Sequence, residues 1–293
     1  NTQSFAFMVS KKEKKRAVNA IKIILSTAGY YVNPFIRESQ KVLASAEFET
    51  SVFFFERLKD SLDEIANLDQ NNTAGIIYQS GIGIPDNHLK YFSEKKIPLV
   101  CAGFNSIENY DTISTDSRLA IRMILNFLFD NGYKKPLFIH PRNVPDPSFT
   151  IYKDAFIFGV EKRKIKPQIF GINFMRLSRP DSFEIVNYIV KNEIDVVISP
   201  SEPITRALLI FFEQNKIKVP DEISIISLGN ELNFEELCLY GFDSVTGAGH
   251  SWDLIGQASA KKLLSRINGD KSCPELILVA PVFKIVGTVK TQL

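Results

Sequence analysis

The chain has 293 residues, a formal net charge of +2 and a hydrophobic fraction of 45%. This length allows one or two compact lobes with their own cores, and the composition is that of an ordinary globular protein. The sequence has no apolar run long enough to predict a membrane span and no signal peptide at its start. Cys101, Cys238 and Cys273 lack metal-ligand spacing, which favours buried thiols in a reducing cytoplasm.

Strands and helices alternate along the first half of the chain. Short apolar, β-branched runs predict strands at 20–25, 50–55, 74–78, 97–102 and 136–140. Helical spacing of apolar residues predicts helices at 34–46, 57–68, 87–94 and 117–131. Asp116 is the predicted N-cap of the last of these helices, and Gly132 follows its end.

Strands and helices alternate again in the second half of the chain. Helices are predicted at 149–163, 181–191, 204–215 and 251–265, and strands at 168–172, 195–199 and 223–228. Short, nearly all-apolar strands that alternate with helices indicate parallel sheets covered on both faces. The number of strands exceeds one typical lobe, so we predict an α/β protein of two Rossmann-like lobes. Ligands of such sheets bind beyond the carboxyl ends of the strands, which places the expected site between the lobes.

Residues 1–18 lie outside this alternating pattern. The run from Lys11 to Arg16 is either a solvated linker or a tether beside nucleic acid, whose phosphates it would bind non-specifically. Because the chain begins with Asn1 and not with Met, we expect a segment upstream of it.

Several short segments resemble, in their shared order, the effector-binding core of the lactose-repressor/galactose-repressor family of bacterial transcription regulators. They are N-P-F at 33–35, the aspartate-containing stretch 112–117, G-Y-K-K at 132–135, A-F and G-V at 155–160, V-P-D at 219–221, the helix 251–265 and the closing strand 283–291. The resemblance covers residues 20–293. It implies a type I periplasmic-binding-protein-like fold that senses a small effector, a carbohydrate or a derivative, and is not an enzyme.

The resemblance also implies a homodimer and operator DNA bound by a head that precedes Asn1. The first sixteen residues do not resemble the family's hinge helix, and a strand followed by a basic linker is more similar to GntR-type winged-helix regulators with the same core. The expected N-terminal lobe comprises 19–141 and 249–273, and the C-terminal lobe 142–248 and 274–293. A solute-binding protein of a transport system is the alternative, because it would share this fold.

By resemblance, the ligand-binding positions lie at strand ends. They are Tyr30, Tyr31, Gln79, Ser80, Asp116, Ser148, Tyr152, Phe174, Ser201, Glu202, Asn230, His250 and Trp252. The chain departs from the family's sugar sensors at three places: Tyr152 replaces an arginine, Ser201-Glu202 replaces Asn-Asp, and Gly229 replaces an aspartate. No cofactor is expected.

Some positions keep two interpretations. Trp252 is either a platform for a ligand or a residue packed at the boundary between lobes, and Asp116 caps a helix with or without a ligand contact. His140 and His250 lack a partner nucleophile, so a structural or ligand-bonding role is favoured over catalysis. His88 is expected at the surface. Gly81-Ile82-Gly83 lacks the third glycine of a dinucleotide fingerprint and predicts a turn, and no metal-ligand motif appears.

Overall fold

A computed structural model describes residues 20–25, 32–54, 73–80, 84–103, 109–143, 147–173, 179–229 and 245–291. The described strands form two six-stranded, mostly parallel sheets, and helices pack against both. This confirms the predicted α/β fold class. The helix predicted at 57–68 and the tether at 1–18 lie outside the described residues.

The first sheet takes most of its strands from the beginning of the chain, and its neighbouring strands run parallel. From edge to edge its strands are β11 (Leu276–Val279), β5 (Asp111–Thr115), β4 (Leu99–Gly103), β3 (Thr73–Ser80), β1 (Ala20–Leu25) and β2 (Glu49–Phe54). The helices packed with it are α1 (Val32–Ser45), α2 (Asp86–Glu94) and α7 (Trp252–Ile267).

The second sheet is built from the later part of the chain and is parallel except for its last strand. From edge to edge its strands are β12 (Val282–Lys284), β10 (Gly247–Gly249), β9 (Ser224–Leu228), β8 (Val196–Ser199), β6 (Pro136–Pro141) and β7 (Gln168–Ile172). Its helices are α3 (Ser117–Asp130), α4 (Pro147–Glu161), α5 (Arg179–Asn192) and α6 (Glu202–Gln214).

Apolar residues bury the strands and hold the helices on them. Strands β4, β8 and β9 are buried along their whole length, as expected for parallel strands covered on both faces. Helix α7 lies close against α1 at Gly256, where an added Cβ would stand 2.4 Å from the carbonyl oxygen of Phe35. The Ser39 hydroxyl donates to the Gly256 carbonyl at 3.1 Å across the same contact. This close approach holds α7 directly against α1.

Among the described strands, the chain passes between the two sheets three times. It leaves the first sheet after β5, at Asp116, because the apolar face of α3 packs on the second sheet. It returns after β10, at His250 and Ser251, and leaves again after β11, at Ala280 and Pro281. Sheet membership therefore differs from the predicted lobe boundaries: β6 joins the second sheet and β11 the first.

The structure corrects several sequence-based expectations. His88 was expected at the surface but is fully buried on α2, where its Nδ1 lies 3.2 Å from the hydroxyl of Tyr78. Strands β5, β10 and β11 were not predicted. The closing strand, expected over 283–291, is limited to β12. The N-cap is confirmed, since the Asp116 carboxylate accepts a hydrogen bond from the Leu119 amide at 2.9 Å.

Candidate functional site

The carboxyl edges of the two sheets meet where the chain crosses between them. The Thr115 hydroxyl at the end of β5 lies 2.6 Å from Nδ1 of His250, which directly follows β10. Since the strands of each sheet run parallel, apart from β12, the other strand ends lie along these same two edges. In open α/β sheets this is the edge at which ligands bind.

Three buried polar atoms at these edges have no hydrogen-bond partner among the described residues. They are Oε1 of Gln79 one residue before the end of β3, Nδ1 of His140 near the end of β6, and Oγ of Ser201 just after β8. Such atoms are rare in folded proteins, because an unpaired buried polar group costs about 1–3 kcal/mol. Two further atoms of this kind, on His88 and Ser259, belong to helices α2 and α7 and not to strand ends. The unpaired atoms at the edges come from both sheets, as a shared ligand would require.

The surroundings of His140 favour its neutral form. Burial lowers the pKa of its imidazole, the positive charges of Lys153 and Arg142 lower it further, and Asp154 opposes them only in part. A neutral imidazole offers one donor and one acceptor. His140 therefore presents a hydrogen-bonding edge without a charge.

Ser201 is held by its backbone and leaves its side chain available. It is the N-cap of α6, but its hydroxyl makes no capping bond. Its carbonyl accepts hydrogen bonds from the Thr205 amide at 3.0 Å and the Thr205 hydroxyl at 2.8 Å. The adjacent Glu202 is half-buried in the first turn of the helix.

Gly229 follows β9 in a backbone conformation that other residues rarely adopt, with φ of 148°. The carbonyl of Gly229 would lie 2.7 Å from a Cβ added at Gly247 of the neighbouring strand. An L-residue at Gly229 would therefore be strained, so the local backbone suits glycine and not a side-chain ligand.

His250 and Trp252 pack at the second crossing. Burial lowers the pKa of His250 to about 4, and the centroid of its ring lies 5.0 Å from that of the Trp252 indole. Trp252 is only 5% exposed and packs edge-to-face on Phe35, with 6.2 Å between ring centroids. The indole thus occupies the packed boundary between α7 and the first sheet.

No protein-family model matches the chain, and no curated protein sequence matches it. Solved structures do match: the transcription regulator CcpA of Lactococcus lactis has 15% identity and a TM-score of 0.74, covering 93% of this chain and 99% of its own. The chain has the fold of the LacI-type regulators.

Two further matches with this fold were solved with sugars. A LacI family transcriptional regulator from Enterococcus faecium, with bound ribose, is 16% identical with a TM-score of 0.71 and covers 93% of this chain and 99% of its own. A periplasmic binding protein/LacI transcriptional regulator from Alkaliphilus metalliredigens, complexed with D-xylulofuranose, is 17% identical with a TM-score of 0.72 and covers 93% and 100%.

The predicted ligand positions fall into four groups on the LacI-type fold. Asp116, His250 and Trp252 lie where the chain crosses between the sheets. Gln79, Ser201 and Glu202 lie at strand ends, as the predicted site requires. Ser148 and Tyr152 are buried on α4, with the Tyr152 ring inside the core of the second sheet. Outside the described residues lie Tyr30, Tyr31, Phe174, Asn230 and the side chain of Ser80.

The geometry points to two residues that are not among the predicted ligand positions: His140, for which a structural or ligand-bonding role was favoured, and Thr115. His140 lies one residue before the end of β6, as Gln79 does in β3, so strand-end position was the signal that could have placed it in the site. Thr115 was missed because β5 was not predicted. Within the described ranges no group of three or more His, Cys, Asp or Glu residues could hold a metal, and none of the helices there is long and apolar enough to cross a membrane.

Proposed function

We propose that this chain is the effector-sensing and dimerisation region of a bacterial transcription regulator. A small molecule, a carbohydrate or a carbohydrate derivative, binds between the two sheets and alters DNA binding by a head that precedes Asn1. The region is not an enzyme and acts in the cytoplasm as a homodimer. The unpaired atoms of Gln79, His140 and Ser201 at the facing strand ends carry this proposal.

The chemistry of these three side chains supports a polyhydroxylated ligand. An amide, a hydroxyl and a neutral imidazole are uncharged groups that each donate or accept hydrogen bonds. Sugar hydroxyls do the same, and buried sites of this kind discriminate strongly against analogues that leave such groups unpaired. The ribose and D-xylulofuranose found in two proteins of the same fold agree with this chemistry.

The effector can act only through a difference in its affinity for two arrangements of the lobes. Gln79 belongs to the first sheet, whereas His140 and Ser201 belong to the second. A ligand bonded to all three therefore favours the arrangement in which the edges are closest. Dimerised lobes would transmit this closure to the DNA-binding heads.

A thermal-shift screen tests the proposal. The chain is heated with monosaccharides, disaccharides, sugar phosphates, uronic acids or nucleobases, each at up to 10 mM. A ligand that binds only the folded state adds about 2.7 kcal/mol of stability at a hundredfold excess over its Kd. We expect a sugar or sugar derivative to raise the melting temperature, and Ser201→Ala and Gln79→Leu to weaken its binding at least tenfold.

Ser259→Ala is the matched control, because it removes another buried, unpaired hydroxyl that belongs to α7 and not to a strand end. It should leave the sugar affinity unchanged. No shift with any compound, or a hit whose affinity is insensitive to both strand-end variants, would refute the proposed site. The sequence upstream of Asn1 separates the two functional classes: a DNA-binding head supports regulation, and an export signal supports a solute-binding protein.

A further inference from the structure

A groove of about 900 Å³ runs between α3 and α4 on the outside of the second sheet. It takes its lining from α3 between Asp116 and Asn126 and from the α4 region between Asp154 and Arg163. Leu278, on the edge strand of the first sheet, completes one wall. At the rise of an α-helix, the α3 portion is about 15 Å long.

The floor of this groove is apolar. α3 and α4 approach closely at Gly159, where an added Cβ would lie 2.3 Å from Cδ1 of Leu125. Phe158 beside it is 70% exposed, and Leu278 is 47% exposed. Large apolar side chains that line a groove while open to solvent are typical of a surface that receives a partner.

The rim carries mostly positive charge. Arg118 and Arg122 lie one turn apart on α3, and Lys162 and Arg163 follow the end of α4. Arg163 is positioned by the Asn126 side-chain oxygen at 2.7 Å and the Gly159 carbonyl at 3.1 Å. Against these four cations stand two carboxylates, and that of Asp116 already caps α3.

We propose that this groove docks an acidic, amphipathic segment of another protein. Two helices with an apolar floor can seat the apolar face of a short helix of two to three turns. Acidic side chains on its flanks would meet the arginines and lysine of the rim, and this complementarity would set the specificity. Burial against Phe158 and Leu278 would supply most of the affinity.

Charge argues against two other occupants. A second copy of this chain, docked groove to groove about a two-fold axis, would oppose the same cations to one another. The chain's own amino-terminal run from Lys11 to Arg16 is itself basic. An acidic segment from a different protein is the occupant that the rim favours.

Selection from a displayed library of random 14-residue peptides tests the proposal. The library is panned on the full chain and counter-selected on Arg118→Glu/Arg122→Glu. We expect enriched peptides to combine Glu or Asp with Leu, Phe or Ile at helical spacing. The best fluorescent peptide should bind the wild-type chain with a Kd in the micromolar range, and the double variant and Phe158→Ala should each weaken it at least tenfold.

Lys261→Glu/Lys271→Glu is the matched control, because it makes the same charge change at exposed lysines that do not line the groove. It should change the Kd less than twofold. Failure to enrich acidic peptides, or equal losses in both double variants, would overturn the proposal. A mixed-sequence 20-base-pair DNA duplex is the second probe. If it binds the wild-type chain more tightly than the best peptide does, and the Arg118→Glu/Arg122→Glu variant does not bind it, the groove takes nucleic acid and the proposal is overturned. The sugar screen is a separate readout, and its failure would leave this result standing.

Discussion

Gly256→Ala should destabilise the protein even though alanine is the better helix former. The new Cβ would stand 2.4 Å from the Phe35 carbonyl oxygen and 3.0 Å from Oγ of Ser39. A carbon–oxygen contact needs about 3.3 Å, so α7 would have to retreat from α1 by about 1 Å. The Phe35 carbonyl is part of the α1 backbone and cannot rotate away as a side chain could, so the helices themselves must move apart.

The expected magnitude follows from three contributions. Replacing glycine inside a helix gains about 1 kcal/mol. Overpacking costs about 1–3 kcal/mol, and loss of the Ser39–Gly256 hydrogen bond costs about 1 kcal/mol more. The free energy of unfolding should therefore fall by about 1–3 kcal/mol.

Gly159→Ala is the matched comparison, since its Cβ would meet an equally close atom, 2.3 Å away, that belongs to the Leu125 side chain. That side chain can rotate, so the cost should nearly cancel the gain in helix propensity. Urea unfolding of the three proteins, followed by circular dichroism, gives both free energies. The reasoning is refuted if Gly256→Ala loses no more stability than Gly159→Ala.

Three other predictions concern the crossings and the buried charges. Thr115→Val removes the hydroxyl that meets His250 and should cost about 1–3 kcal/mol in urea unfolding, whereas Ser114→Ala, on the opposite face of β5, should cost less. His250 has a pKa of about 4 in the folded state and 6.5 in the unfolded state, so acid favours the unfolded state. Between pH 7 and pH 4.5 the free energy of unfolding should fall by about 2–3 kcal/mol more in the wild-type chain than in His250→Gln. Equal pH profiles of the two proteins would contradict this. Arg266→Met strips the buried Asp111 carboxylate of bonds at 2.6 and 2.9 Å and should cost about 3 kcal/mol by the same assay. The double variant Arg266→Met/Asp111→Leu should recover most of that loss, and a double variant as unstable as Arg266→Met would count against the argument.

The strands that sequence reasoning missed have physical reasons for their weak signals. β10 consists of Gly247, Ala248 and Gly249, because a Cβ at Gly247 would meet two backbone carbonyl oxygens within 2.8 Å. A strand without branched side chains carries no strand propensity. β5 is polar yet fully buried, since Asp111 pairs with Arg266 from α7, far along the chain. Only the tertiary fold supplies these partners.

The strands and helices with regular apolar patterns were predicted closely, among them β1 and β7, whose bounds match the prediction. The candidate site was predicted in part. Gln79 and Ser201 were predicted from the resemblance to the repressor family, and both lie at strand ends, where ligands of such sheets bind; His140 obeys the same rule. The sequence does not reveal that all three side chains carry buried atoms without hydrogen-bond partners. Burial of these atoms depends on how the helices cover the carboxyl edge of each sheet.

The distances of Gln79, Ser201 and His140 from the Thr115–His250 contact explain how binding of one ligand could be coupled to lobe closure. Thr115 and His250 join β5 to β10, each the second strand from its edge of the sheet. Gln79 on β3 and Ser201 after β8 lie two strands further in, about 10 Å away at the usual strand spacing, and His140 on β6 lies about 14 Å away. A lobe rotation of about 15°, the scale of known rigid-body switches, moves a group 10 Å from the axis by about 3 Å. That displacement makes or breaks a hydrogen bond, so side chains at this distance can bond one ligand in the closed arrangement and lose it in the open one.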